Sequence, residues 1–397
     1  MWAKNLKQVH RFHLRSFVTN HQLAQKKPAD LDAFSGSRTG NFTQEAPELG
    51  NQYTADPLLP AWLKRHLPRD VFCDIQDDLL NFGESVSTTV LKYHNDVCNH
   101  EPVLHQYDAW GRRTDHIVTH PSWRALHDTA ACEGLISIPY ENKHAEWSRV
   151  YQIAKLYLFA PSSGLYSCPL AMTDGAAGIL KSRRGDPFNT AFNNLTSTNP
   201  DVFWTSGQWM TEKGGGSDVG GGTETLAVEQ SDGTYKLHGY KWFTSATDAD
   251  ISLTLARVVD EDGNVTSGSR GLTMFYLQTR KSDGSLNGIR MEKLKKKLGT
   301  RQMPTAEVIL DGAVAHRVSD IGRGIAAISP MLTITRIHNS VMAVSCMRRM
   351  LNLSVDYAHK RRAFGQHLAA SPLHNQTLVR MEVEQRAGFH LLFQVSR

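Results

Sequence analysis

The spacing of apolar residues changes twice along these 397 residues, and the two changes restrict the fold more than any other property of the chain. From Trp62 to about Asn199, apolar residues recur every three or four positions, as in segments 79–98 and 145–159, which is helical spacing. Segment 168–180 is small and apolar, as a buried helix would be. Near Val202 the period shortens. Segments 223–228, 235–237, 241–243, 251–257, 272–277 and 306–310 are short β-prone runs. Gly233, Gly263 and Gly284, each after an aspartate, mark turns between them. Beyond Gly322 and Gly324, helical spacing returns through Met331, Ile334, Ile337, Val341, Val344, Met347 and Leu351, and a second helix is expected near Pro372. The expected class is α+β. Residues 1–60 form a basic start and an extended arm, 61–203 a helical domain, 204–320 a small β barrel or sandwich, and 321–397 a second helical domain.

Composition excludes several classes. No run of 18 apolar residues occurs, so no membrane-spanning helix is expected. A net charge of +5 over this length does not by itself argue for nucleic acid. The five cysteines, Cys73, Cys98, Cys132, Cys168 and Cys346, are scattered and form no CxxC pair, which reads as reduced thiols rather than a disulfide framework. The first 29 residues contain Lys4, Lys7, Arg11, Arg15, Lys26 and Lys27 and no acid, with Trp2, Leu6, Val9, Phe12, Leu14 and Phe17 between them. That pattern suits a mitochondrial transit peptide or, more plainly, a disordered basic tail.

Three segments could carry chemistry. Residues 210–218 read Met-Thr-Glu-Lys-Gly-Gly-Gly-Ser-Asp, followed by Gly220, Gly221 and Gly222. Glycines let backbone N–H groups converge on a phosphate, and Thr211 and Ser217 add hydroxyls. Neither a GxGxxG fingerprint nor a Walker loop is present. Residues 240–245 place Trp242 beside Thr244 and Ser245, an aromatic plane with hydroxyl donors. Residues 361–366 read Arg-Arg-Ala-Phe-Gly-Gln, and an arginine fork suits pyrophosphate. Taken singly, each has a plainer reading: a surface loop, a core tryptophan, a basic helix C-terminus with a glycine cap.

Together, in this order and at this approximate spacing, the three segments resemble the acyl-CoA dehydrogenase family. Segment 210–218 is similar to that family's flavin loop, Trp242, Phe243 and Thr244 to its Trp-x-Thr strand, and segment 361–366 to its Arg-x-x-Phe-Gly-Gln stretch. Segment 308–324 resembles the passage into its last helical domain. Segments 107–115 and 120–123, with Cys168, Pro169, Met172, Thr173 and residues 297–301, are similar to the AidB-like branch. The resemblance implies FAD and a fatty acyl-CoA, with dehydrogenation at the α,β-carbons and an electron-transfer flavoprotein as possible acceptor. Met210, Thr211, Gly216, Ser217 and Asp218 would hold the flavin. Trp242 would pack on its ring with Phe243 beside it, and Thr244 would approach N5. Arg361, Phe364 and Gln366 would reach FAD of a neighbouring subunit, so a dimer of dimers is implied. Ser217 and Arg336 would touch the acyl-CoA. One subfamily carries a glutamate base just before the arginine matched by Arg336, but here that residue is Thr335. Others place the base in later helices, and the sequence ends at Arg397, within what resembles the second helix of the last domain. The catalytic base is therefore unknown, and neither Glu382 nor Glu384 is assigned to it.

Arg290, Lys293, Lys295, Lys296, Lys297 and Arg301 form a basic run, which reads as a solvated loop between strands, or a surface near the CoA phosphates, before it reads as a DNA contact. His94, Cys98 and His100 lack a second ligand pair, so no metal is expected. A binding protein that sequesters acyl-CoA with little turnover stands as the alternative function, and a DNA-associated flavoprotein ranks after it.

Overall fold

The computed structural model describes residues 43–396; the expected transit peptide and the first part of the arm lie outside them. The chain runs without regular structure to residue 58. It then forms α1 (Leu59–His66), α2 (Arg69–Ser85), α3 (Thr89–Cys98), a hairpin of β1 (Val103–Tyr107) and β2 (Arg113–Val118), α4 (Pro121–Cys132), α5 (Ile138–Glu141), α6 (Ser148–Phe159), α7 (Ser167–Leu180) and α8 (Phe188–Leu195). Strands β3 (Ser206–Trp209), β4 (Leu226–Glu229), β5 (Tyr235–Ser245), β6 (Ile251–Val258), β7 (Leu272–Gln278), β8 (Ile289–Leu294) and β9 (Thr305–Arg317) follow, with the single turn α9 (Val219–Gly222) before β4. The chain ends with α10 (Gly324–Lys360), the two-residue strands β10 (Arg362–Ala363) and β11 (Gln366–His367), and α11 (Pro372–Val395). Proline opens α4 and α11, where a missing N–H costs nothing.

The β strands close on themselves. β6 pairs with β4, β4 with β5, β5 with β9, β9 with β7, and β7 again with β6. β3 and β8 extend the free lengths of β6 and β9. Closure leaves no long open edge on this ring. Its interior is filled by Trp209, Tyr235, Leu237, Phe275, Val308, Leu310 and small alanines.

The helices before and after the barrel share one core. Residues of α1 to α7 pack with Val341 and Val344 of α10 and with Phe389, Leu392 and Phe393 of α11. α6 is buried along almost its whole length, as the innermost helix of such a body must be. α7 lies close against α10: a Cβ on Gly175 would come within 2.5 Å of Met331 Cγ. The seam is polar at one point. Asp174 accepts from Tyr140, Arg149, Gln152 and His338, and these bonds offset the burial of its charge.

The sequence reading differs from the structure in several places. Segments 235–237 and 241–243 are one strand, β5, because Gly239 lies in line between them. The hairpin β1–β2 was not expected; it docks on β8, where Gln106 and Arg113 donate to the Met291 carbonyl and Asp115 accepts from Met291 N–H. The basic run is not wholly a loop: Arg290 and Lys293 sit on β8, paired to β9.

Candidate functional site

The glycine-rich segment 210–218 leaves β3 and folds back before β4. Its entry is fixed by a buried ion pair. Lys241 Nζ lies 2.6 Å from Glu212 Oε1, and neither side chain meets solvent appreciably. The other Glu212 oxygen accepts from Glu224 N at 2.7 Å, and Thr225 donates to the first. Burial pushes the Lys241 ammonium below its ordinary value despite the carboxylate beside it. Trp242 N–H donates to the Thr211 carbonyl at 2.9 Å, joining the loop to β5. Arg257 closes the far side by donating to the carbonyls of Gly220, Thr223, Thr266 and Gly268.

Two of the glycines serve packing. A Cβ on Gly215 would fall 2.4 Å from Asp218 O, and one on Gly222 would fall 2.2 Å from Gly215 Cα. Gly216 is different: the nearest atom to its missing Cβ is Thr211 Cγ2 at 3.7 Å, so its backbone is open. Gly216, Ser217 and Asp218 are exposed. Among the described residues, the hydroxyls of Thr211 and Ser217 have no hydrogen-bond partner. Asp218 caps α9, accepting from Gly221 N at 2.9 Å.

A bulge in β5 between Lys241 and Thr244 sets the next wall. It turns both of those residues inward and leaves Trp242 half-buried and Phe243 exposed on the outer face. Thr244 is fully buried and donates to the Ala306 carbonyl at 2.8 Å, so it anchors the strand. Lys295 Nζ stands 3.0 Å from the centroid of the Trp242 ring, and Lys213 Nζ stands 5.0 Å from it. Glu307 accepts from Lys295, Lys293 and Tyr240. These donors hold its carboxyl well below the usual range, at about 2, and burial with Glu307 pushes the Tyr240 phenol up to about 12.

The structure thus joins Met210, Thr211 and Trp242 at one place. Met210 also packs on a core that contains Ile328 and Met331 at the start of α10. Arg361, Phe364 and Gln366 are elsewhere. Thirty residues of helix separate Met331 from Arg361, about 45 Å along the axis at 1.5 Å per residue. There Phe364 and Gly365 form a two-residue turn between β10 and β11, both with positive φ. Phe364 is fully exposed. A left-handed, solvent-facing phenylalanine costs roughly 1–3 kcal/mol. Arg336 is exposed on α10, one position after Thr335, whose hydroxyl donates to the Leu332 carbonyl. The only acid in α10, Asp356, accepts from Glu48 N–H and pairs with Lys360. Glu382 pairs with Arg348 and Arg386.

Reasoning from sequence missed Glu212, Lys241, Arg257 and Glu307, and took Lys295, which is buried, for part of a solvated basic run. A lysine alternating with apolar residues in a barrel strand was the available signal for Lys241.

Comparison with known proteins agrees along the described chain. Residues 43–202 match the adaptive response protein AidB N-terminal domain, 207–313 the acyl-CoA dehydrogenase middle domain, and 322–397 the acyl-CoA dehydrogenase C-terminal domain. Acyl-CoA dehydrogenase family member 11 of Caenorhabditis elegans is 49% identical over 92% of this chain and 60% of its own length. The putative acyl-CoA dehydrogenase AidB of Escherichia coli is 32% identical over 81% of this chain and 59% of its own. The chain therefore spans about three fifths of the curated relatives it matches. The crystal structure of C. elegans ACDH-11 in complex with C11-CoA superposes with a TM-score of 0.89 at 48% identity, covering 94% of this chain and 63% of that one. Butyryl-CoA dehydrogenase of Megasphaera elsdenii, at 19% identity and a TM-score of 0.57, shares the fold. With the helix–barrel–helix order, the pinned glycine loop and these matches in agreement, the chain belongs to the acyl-CoA dehydrogenase family, with an AidB-type N-terminal domain.

Proposed function

We propose that the chain is the flavin- and substrate-binding part of an FAD-dependent acyl-CoA dehydrogenase that acts on fatty acyl-CoA thioesters. The observation that carries this is the Thr211–Trp242 backbone link. It sets an exposed loop with open N–H groups and two uncommitted hydroxyls beside an aromatic plane. The donor set suits FAD: Gly216 has room where a Cβ would stand, and Thr211 and Ser217 can donate. When bound, FAD supplies the acceptor for the hydride that leaves the substrate β-carbon.

The chain's own residues bind and orient. Met210, Thr211 and Trp242 position the ring, with Phe243 at its margin and Thr244 holding the strand behind it. Gly216, Ser217 and Asp218 present N–H and hydroxyl groups toward phosphate, and Ser217 and Arg336 suit the acyl-CoA. Arg361, Phe364 and Gln366 serve a second copy, since about 45 Å of helix parts them from the loop of their own chain. A dimer of dimers is the arrangement this reading favours. An electron-transfer flavoprotein is its proposed electron acceptor, and the basic start supports delivery to the mitochondrion.

A second reading has a specific observation in its favour. Thr335 replaces a glutamate found in one subfamily, and α10 offers no other carboxylate near its start. A protein of this fold without a base would hold acyl-CoA and sequester it. Anaerobic addition of acyl-CoAs of graded length to the purified protein separates the two. Loss of the oxidised flavin band with one length class supports dehydrogenation. A yellow protein that binds acyl-CoA without bleaching supports sequestration, and a colourless one refutes the FAD assignment.

A further inference from the structure

The cation against Trp242 is fixed. Lys295 Nζ is 3.0 Å from the ring centroid and 2.7 Å from Glu307 Oε1, and its side chain is about nine-tenths buried. Lysines 213 and 293 stand nearby, the first over Trp242 and Tyr240, the second 3.2 Å from Glu307. Glu292 on the same strand is paired with Arg113. Two lysines thus share one carboxylate and a third lies over the same rings, which leaves the wall positive. Neither a barrel core nor a solvated loop requires a buried ammonium pressed on an indole, since desolvating a cation is costly.

We propose that Lys295, aimed by Glu307, tunes the bound cofactor: its fixed positive charge beside Trp242 favours the reduced, more negative flavin. The inference rests on the placement of FAD beside Trp242 proposed above. It assigns a role to two residues that make the site's electrostatics rather than its shape. At an effective dielectric constant of about 20, a unit charge about 10 Å away changes a one-charge equilibrium by roughly tenfold. Glu307 opposes Lys295 in charge while holding it in position, so the two residues have opposite electrostatic effects.

That opposition gives the test. The FAD-loaded protein is reduced anaerobically against a reference dye, and the ratio of reduced to oxidised flavin is read at fixed dye potential. Lys295→Met should lower the ratio about tenfold, equal to about 30 mV for a two-electron couple. Lys295→Arg should retain it, and Glu307→Gln should raise it. A merely structural role would move the Met and Gln variants in the same direction, or neither, and either result overturns the inference. A wild-type protein that takes up no FAD overturns the FAD placement and this inference together. A yellow protein whose potential ignores Lys295→Met overturns the inference alone.

Discussion

Replacing Lys241 by methionine should loosen the glycine loop without unfolding the helices. In the native chain the Lys241 ammonium donates to Glu212 at 2.6 Å and to the Leu255 carbonyl at 3.0 Å, with no water access. Methionine fills most of the volume but leaves Glu212 as a buried charge facing a thioether. Removing one partner of a buried pair costs about 3–5 kcal/mol. Spread over a local opening, the lower figure is more than a hundredfold in an equilibrium constant. A chain with several packed bodies does not promise two-state unfolding, so hydrogen exchange followed on peptides covering 206–229 is the better assay. Protection there should fall by at least about a hundredfold, while peptides from α6 keep theirs. Glu212→Gln combined with Lys241→Met removes both charges and should cost less than the sum of the two single changes, with a coupling of about 1–3 kcal/mol. Unchanged protection in Lys241→Met, with unchanged FAD retention, would refute the claim that this pair pins the loop.

Gly215→Ala should weaken FAD retention at least about tenfold, because its Cβ would overlap Asp218 O and Gly222 Cα, whereas Gly216→Ala meets no atom within 3.4 Å and should fold normally. Both are read by flavin absorbance after gel filtration. Phe364→Gly should leave stability unchanged or raise it by about 1 kcal/mol, since the left-handed position suits glycine, yet lower FAD retention if the turn serves a second copy. Glu307 has a depressed carboxyl, near 2, so its contribution is present above the ordinary carboxylate range and lost as pH falls from about 4.5 toward about 2. An acid titration followed by tryptophan fluorescence should therefore lose a component in that window, and Glu307→Gln should remove it.

Much of the fold was legible because burial imposes period. The helix pattern from Met331 to Leu351 returned as α10, with Met331, Val341, Val344 and Leu351 buried, and Pro372 opened α11 as expected. The barrel strands β6 and β7 were found nearly to the residue, since a strand buried on both sides reads as a continuous apolar run. β8 was hidden by Arg290, Glu292 and Lys293, of which Arg290 and Lys293 pair with carboxylates of β9, while Ile289 and Met291 are its buried apolar residues. β3 was hidden by Gly207 and Ser206, residues that carry no β preference and are placed by pairing with β6. The hairpin β1–β2 draws its stability from docking on β8, a contact nearly two hundred residues away that no local pattern records.

The site divides along the same line. The candidates Thr211, Ser217 and Trp242 were picked out by motif spacing, a short-range pattern that a sequence displays directly. What aims them was not. Glu212 and Lys241 are 29 positions apart, and Lys295 and Glu307 are 12 apart on different segments, so each pair exists only once the barrel has closed. Spacing within a motif therefore reports which atoms can meet a ligand, while the closed sheet decides what charge they meet it with. In this chain the second half of that statement rests on four ionisable side chains, and substituting them one at a time would show how far the barrel, rather than the motif, sets the chemistry.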